Sequence, residues 1–270
     1  MCLIAIAYEA HPEYPLVVAA NRDEYYDRQA GQAHFWDENP GVLAGRDLQA
    51  GGTWLGMDRH GRFGAITNFR SDGANRDGAP SRGHLVSDFL CGRVSAAAYL
   101  KRIAAASHLY NGFNLLLRDQ GGLFYFSNRE SPGNAAPRKL EPGVYGLSNH
   151  LLDTPWPKVV QAKERFARII GSGQALESLF EVLQDNEPAP DQVLSEAGLG
   201  AARERLLSSI FIASETYGTR CSTVLSVSTA HRARFIERSY DQGGTPSDSV
   251  EYKFAISLKS AARRKILPAR

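Results

Sequence analysis

Two short apolar runs at the start of the chain, Leu3-Ile4-Ala5-Ile6-Ala7 and Leu16-Val17-Val18-Ala19-Ala20, restrict the fold more than any other feature of the sequence. Each has the length of a strand, and the polar stretch His11-Pro12-Glu13-Tyr14-Pro15 separates them. They read as a β-hairpin with both strands well buried. Antiparallel pairing sets the beginning of the first strand beside the end of the second. Cys2 is therefore expected close to Asn21, Arg22 and Asp23, in the polar run Asn21-Arg22-Asp23-Glu24 where the chain leaves the sheet.

Cys2 carries chemistry because of Met1. Methionine in front of a small residue is ordinarily removed, which leaves a cysteine with a free α-amine (reference pKa about 7.7–8.0) and a thiol (about 8.5). Nucleophile and general base can then be one residue. Asp23 is suited to orient the amine, and Arg22 to favour the thiolate. The plain alternative is that Cys2 is a small buried hydrophobe, as unpaired cysteine often is.

Several function classes drop out. Three cysteines, at positions 2, 91 and 221, have no close spacing, so neither a disulfide framework nor a zinc site is expected, and a reducing compartment suits them. A net charge of +2 is too small for nucleic-acid binding across the whole surface. The seven histidines, at 11, 34, 60, 84, 108, 150 and 231, show no ligand spacing, so no metal is expected. Ala50-Gly51-Gly52-Thr53 has no P-loop lysine and reads as a tight turn. The apolar start is too short for a membrane span and has no basic leader; a cytoplasmic protein is expected. Hydrophobic content of 43% and charged content of 22% are ordinary for a globular chain.

Further strands are expected around Val42-Leu43-Ala44, on either side of the turn Asp58-Arg59-His60-Gly61, and at Phe113–Leu117, Leu123–Phe126 and Val144–Asn149. Three more follow at Ser222–Val227, Arg234–Tyr240 and Val250–Ile256, the last with Val250, Tyr252, Phe254 and Ile256 on one face. His34–Pro40 and the polar stretch Ser71–Arg82 read as loops. Helices are expected over His84–Leu90, over Ala96–Ala106 capped by Ser95, over Lys158–Ile170, around Leu176–Leu183 and over Ala201–Ser209. Hairpins, not βαβ units, join the strands. The pattern predicts an α+β fold of antiparallel sheets covered by helices, in a single domain over residues 1–270. The basic tail, Lys259, Arg263, Arg264, Lys265 and Arg270, reads as a solvated end.

Polar residues also stand where strands should end: Asn68 after Ala65-Ile66-Thr67, Asn149 after Gly146-Leu147-Ser148, and Arg220 ahead of Ser222. Acyl transfer from an amide needs donors aimed at a developing oxyanion, and asparagine side chains and backbone N–H groups serve. Each also has an ordinary explanation, asparagine in a turn and arginine at the surface. Trp36, Trp54 and Trp156 are candidates for a pocket wall or for plain core packing.

Taken in order, these motifs resemble a known family. Cys2, Asn21-Arg22-Asp23-Glu24, Gly51-Gly52-Thr53-Trp54-Leu55-Gly56, Thr67-Asn68-Phe69-Arg70, Ser81-Arg82-Gly83, Gly112-Phe113-Asn114-Leu115-Leu116, Leu147-Ser148-Asn149, Asp153-Thr154-Pro155-Trp156-Pro157-Lys158 and Tyr217-Gly218-Thr219-Arg220 are similar to the NRDE-motif family, also called the transport and Golgi organisation protein 2 family. The resemblance runs along essentially the whole chain. It implies an N-terminal-nucleophile hydrolase-like, four-layer αββα sandwich. A more distant resemblance, to the choloylglycine hydrolase and penicillin V acylase family, implies catalytic roles for Cys2, Arg22, Asp23, Asn68 (through its backbone), Asn149 and Arg220. It departs where that family has an arginine three residues before the aspartate, since Ala20 stands here, and where Asp58 replaces a hairpin asparagine.

Two functions follow. One is an N-terminal-cysteine amidase cleaving a C–N bond of a small molecule without a cofactor, with Asn21, Glu24 and Trp54 as binding residues. The other, implied by the family's links with haem trafficking, lipid metabolism and secretory organisation, is a non-catalytic protein that binds haem or acyl-CoA.

Overall fold

The computed structural model describes residues 2–70, 75–130, 135–194 and 200–257. Met1, the opening of the Ser71–Arg82 stretch and the basic tail lie outside them. The first half of the chain contributes β1 (Cys2–Tyr8), β2 (Leu16–Tyr25), β3 (Ala30–Trp36), β4 (Asn39–Asp47), β5 (Leu55–Asp58) and β6 (Phe63–Asn68). Helices α1 (His84–Cys91) and α2 (Ala96–Ala106) precede β7 (Phe113–Asp119), β8 (Gly122–Ser127), β9 (Arg138–Lys139) and β10 (Gly143–Leu147). Then come α3 (Pro157–Gly171), α4 (Leu179–Leu183), α5 (Ala201–Ser208), β11 (Tyr217–Val227), β12 (Arg232–Tyr240) and β13 (Pro246–Ala255).

The strands form two antiparallel sheets, ordered β10-β1-β2-β11-β12-β13 and β3-β4-β5-β6-β7-β8-β9. Side chains from both meet in one apolar layer that includes Ile4, Ile6, Leu16, Val18, Phe63, Leu116, Tyr125, Leu225 and Phe235. Burying each such side chain contributes about 1.5–3 kcal/mol. On the outer face of the seven-stranded sheet, α1 and α2 pack through Leu85, Val86, Phe89, Tyr99 and Leu100 against Leu115, Leu117 and Phe126. On the outer face of the six-stranded sheet, Phe166 and Ile170 of α3 and Phe180 and Leu183 of α4 cover Ala5, Ala7, Val17, Ala19 and Val224. The layer order is αββα, as the resemblance implied.

This layering explains the sequence patterns. β1 and β2 lie between the inter-sheet core and the helices, so both faces are dry and both strands read as unbroken apolar runs. β13 lies at the sheet edge: Phe254 and Ile256 are buried, Val250 and Tyr252 are half-buried, and the residues between them are exposed, which gives strict alternation. Gly61 takes φ of +80° at the β5–β6 turn, a conformation that favours glycine.

Two expectations are corrected. His34–Pro40 is not a loop: β3 runs to Trp36 and β4 begins at Asn39. β3 is an edge strand with register shifts at Gly31/His34 and Phe35/Trp36, so neither face keeps a hydrophobic period. The strand expected from Ser222 begins at Tyr217 instead. Among the described residues no helix is long and apolar enough to cross a membrane.

Candidate active site

Strand parity sorts the polar residues at the end of the first hairpin. Cys2 pairs with Arg22 across β1 and β2, and Arg22 in turn faces Cys221 on β11. Cys2 shares the inter-sheet face with Ile4 and Ile6, and Arg22 shares it with Val18 and Ala20. Asn21 and Asp23 have the opposite parity and point with Val17 and Ala19 toward the helices.

Cys2 and Arg22 open into a cavity of about 310 Å³ between the ends of the two sheets, which Asp23, Glu24, Trp54, Asn68 and Arg82 also line. Arg22 is buried, with its guanidinium 4.4 Å from the centre of the Trp54 ring. Its Nη1 has no hydrogen-bond partner among the described residues, so the stack on Trp54 is its visible support. Trp54 lies over Gly45, where a Cβ would come within 2.4 Å of the ring. Arg82 enters from the segment ahead of α1 and donates to the Gly112 carbonyl at 2.9 Å; burial holds its guanidinium below the usual value. Arg28, also at the cavity, is bound to Asp47 at 2.8 Å.

The thiol end of Cys2 and its nitrogen have different surroundings. Burial raises the Cys2 thiol, a nearby Asp23 charge adds to this, and Arg22 together with the Asp23 backbone N–H opposes it. The Cys2 nitrogen donates to Asn149 Oδ1 at 3.3 Å, and the Ser148 hydroxyl donates to the Cys2 carbonyl at 2.9 Å. Asn149 Nδ2 donates to the Asn68 carbonyl at 2.8 Å, and the Asn149 carbonyl accepts from the Arg70 N–H at 2.6 Å. The loop after β10 thus ties Cys2 to the end of β6, joining the two sheets at the cavity. Asn114 supports this seam, donating to Thr67 Oγ1 at 3.0 Å and to the His150 carbonyl at 2.9 Å.

Asp23 is buried and accepts a 2.8 Å hydrogen bond from Thr219 Oγ1. Its carboxyl is raised by burial, against the pull of Lys158 and Arg22. Lys158 was absent from the expected site. It stands in the first turn of α3, is 1% exposed, and its Nζ has no hydrogen-bond partner among the described residues. Burial lowers its amine; Asp23 is the charge that chiefly opposes this.

Of the expected residues, Cys2, Arg22, Asp23, Glu24, Trp54 and Asn68 surround the cavity, and Asn149 braces Cys2 from behind. Two do not. Asn21 is fully engaged in the helix-facing layer, donating to the carbonyls of Leu183 at 2.8 Å and Ile210 at 2.9 Å and accepting from Ser222 at 2.6 Å. Arg220 falls at the β11 bulge between Thr219 and Cys221, where the extra residue turns away; its Nη1 donates to the Tyr240 carbonyl at 3.1 Å. Trp156 lies near Arg70 and Lys158, and Trp36 is core. The sequence offered one sign of Lys158, a cation on the otherwise apolar first turn of an amphipathic helix. Among the described residues no cluster of histidine, cysteine or carboxylate side chains could hold a metal ion.

The family model for Transport and Golgi organisation 2 matches residues 1–242. The chain belongs to that family. Its relatives within the family include the Transport and Golgi organization 2 homolog of Mus musculus, 36% identical over 95% of this chain and 99% of that protein. The Homo sapiens homolog is 37% identical over 95% and 99%, and the Drosophila melanogaster protein 27% over 88% and 92%. Among solved structures, a penicillin V acylase from Agrobacterium tumefaciens matches with a TM-score of 0.46 and 12% identity, covering 94% of this chain and 86% of that one. The Caenorhabditis elegans N-acylethanolamine-hydrolyzing acid amidase ortholog matches with 0.49 and 12%, covering 83% and 92%. Both are likenesses of fold alone.

Proposed function

We propose that this member of the Transport and Golgi organisation 2 family is an N-terminal-cysteine hydrolase cleaving a C–N amide bond of a small molecule, with residues 1–270 working as one cytoplasmic unit. One observation carries the reading. The thiol of Cys2 faces a polar cavity beside a buried Arg22, while its nitrogen is held from behind by Asn149. A residue that served only as a small hydrophobe would need neither.

In the proposed reaction, loss of Met1 frees the α-amine, which takes the thiol proton. Cys2 Sγ adds to the amide carbonyl carbon, and the oxyanion is held by donors around Asn68 and Asn149. The C–N bond then breaks, the leaving nitrogen takes the proton back, and water hydrolyses the thioester with the same amine as base. Arg22 supplies positive charge beside the thiolate, and Glu24 and Trp54 shape the substrate side.

A second reading has a specific support. Three arginines reach the cavity; Arg28 is paired with Asp47, and Arg22 and Arg82 suit an anionic ligand such as haem or an acyl-CoA held without turnover.

Intact mass before and after mild thiol alkylation, compared with Cys2→Ala, separates the two. Loss of Met1 and labelling of Cys2 ahead of Cys91 and Cys221, followed by amide hydrolysis that Cys2→Ala abolishes, supports the hydrolase. Retained Met1, with haem or acyl-CoA binding that survives Cys2→Ala, supports the carrier.

A further inference from the structure

Arg22 is a buried cation with unused donors. It is 5% exposed, and among the described residues its Nη1 has no hydrogen-bond partner and no carboxylate forms an ion pair with it. The acidic groups around it are engaged elsewhere. Asp47 binds Arg28 at 2.8 Å and accepts from the Gln49 and Ala50 N–H groups, each at 3.0 Å. Glu24 accepts from the Tyr25 N–H at 3.0 Å, and Asp23 has the helix-facing parity and its hydrogen bond from Thr219. Glu237, buried between the sheets, accepts from the Ala33 N–H at 2.7 Å and from the Thr223 hydroxyl at 3.3 Å. A guanidinium taken out of water is costly unless an anion meets it.

The neighbours of Arg22 define where that anion belongs. Cys2 and Arg22 are cross-strand partners, which sets their Cβ atoms about 4.5–5.5 Å apart. From β2 the Arg22 side chain crosses to Trp54, just ahead of β5 in the other sheet, and lies 4.4 Å from the ring centre. Such a stack uses the flat face of the guanidinium and leaves its in-plane N–H edge for a planar, bidentate acceptor. Asn149 approaches Cys2 from the opposite side, since β10 and β2 flank β1. An amide carbonyl on the thiol, with its oxygen toward the asparagines, therefore has Arg22 beside its other substituents. The cavity of about 310 Å³ is at the small end for small-molecule sites, so an anion enclosed there is close to the carbonyl.

We propose that Arg22 binds a carboxylate of the substrate, and that the amide cleaved carries this carboxylate within a few bonds of its scissile carbonyl. The inference rests on the reading of Cys2 as an N-terminal nucleophile and narrows its substrate class. The carboxylate has two possible sources: the leaving amine, as in an N-acyl amino acid, or the acyl side, as in the monoamide of a dicarboxylic acid. It is held by hydrogen bonds alone, and the covalent steps are unchanged. The guanidinium has five N–H donors, more than a neighbouring thiolate can use.

The test pairs each anionic amide with a neutral isostere: N-acetylglycine with N-acetylglycinamide, and succinamic acid with succinamide. Binding is measured by calorimetry on full-length Cys2→Ala, which has no thiol for turnover, and hydrolysis on the parent, Arg22→Met and Arg22→Lys. The parent is expected to favour one anionic amide over its isostere by about 10- to 100-fold in kcat/KM, with the same preference in binding to Cys2→Ala. The pair that shows the preference identifies the side that carries the carboxylate. Arg22→Met is expected to abolish it. Arg22→Lys keeps the charge without the fork and is expected to retain only part of it, which decides the matter where Arg22→Met does not fold. Were Arg22 to serve the thiolate alone, Arg22→Met would slow both members of a pair equally; an unchanged ratio overturns the inference. Hydrolysis of anionic and neutral amides alike by the parent also overturns it and leaves the hydrolase reading standing. A preference in binding to Cys2→Ala, with no amide hydrolysed by the parent, overturns the hydrolase reading and leaves Arg22 as a carboxylate site. No preference in either measurement overturns the carboxylate site itself.

Discussion

Cys2 and Asn149 are 147 residues apart in the chain, and the nitrogen of one donates to the side-chain oxygen of the other at 3.3 Å. Through its Nδ2, Asn149 also reaches the Asn68 carbonyl. One amide therefore fixes the first strand of one sheet against a strand end of the other. The cavity lies where those ends meet.

Asn149→Ala removes both contacts. Amide hydrolysis is expected to fall by about 10²-fold or more if the side chain also supports the oxyanion. Stability should fall by about 0.5–1.5 kcal/mol, since the part-buried hydrogen bond to the Asn68 carbonyl is lost. Turnover per folded molecule, with the folded fraction taken from denaturant titration, separates the two effects. Unchanged turnover per folded molecule would restrict Asn149 to holding the sheets together.

Asn21→Ala should behave differently. Its side chain serves the Leu183 and Ile210 carbonyls and Ser222, away from the cavity. A loss of about 2–4 kcal/mol is expected from the orphaned buried groups, with Cys2 alkylation in the folded protein unaltered. Slower alkylation at full folding would return Asn21 to the site.

Gly45→Ala tests the Trp54 stack from below. The new methyl falls on the ring, so a cost of about 1–3 kcal/mol is expected, together with a shift in tryptophan emission and slower Cys2 alkylation as Arg22 loses its support. Parental emission and alkylation would show that the stack on Trp54 does not set Arg22.

Glu237 gives a pH signature. It is buried between the sheets, accepts from the Ala33 N–H at 2.7 Å, and burial raises its carboxyl. Below an unfolded-state pKa of about 4.3 both states carry the proton. As pH rises from there through the higher folded value, the unfolded chain releases its proton first and stability is lost. Glu237→Gln keeps an oxygen for Ala33 and cannot ionise. Its Tm should exceed the parent's at about pH 7, with the gap closing toward about pH 4. A gap that stays constant with pH would attribute the effect to packing.

The sequence by itself determined the hairpin that opens the chain, because strands covered on both sides must be apolar throughout and Leu3–Ala7 and Leu16–Ala20 are. It also determined the helices, whose apolar faces repeat at helical spacing, and the meeting of Cys2 with Arg22, which follows from antiparallel pairing. The edge strand β3 escaped, since an edge with bulges imposes no period. Which face each polar residue took belonged to tertiary structure alone. A single bulge before Cys221 sends Arg220 away from the cavity, and parity turns Asn21 into a brace for the helix layer. Lys158 stands out in the sequence only as a cation in an otherwise apolar first turn, and its burial is decided when α3 is laid on the six-stranded sheet. Burial is a property of what packs against a residue, and that is decided by segments far away in the chain.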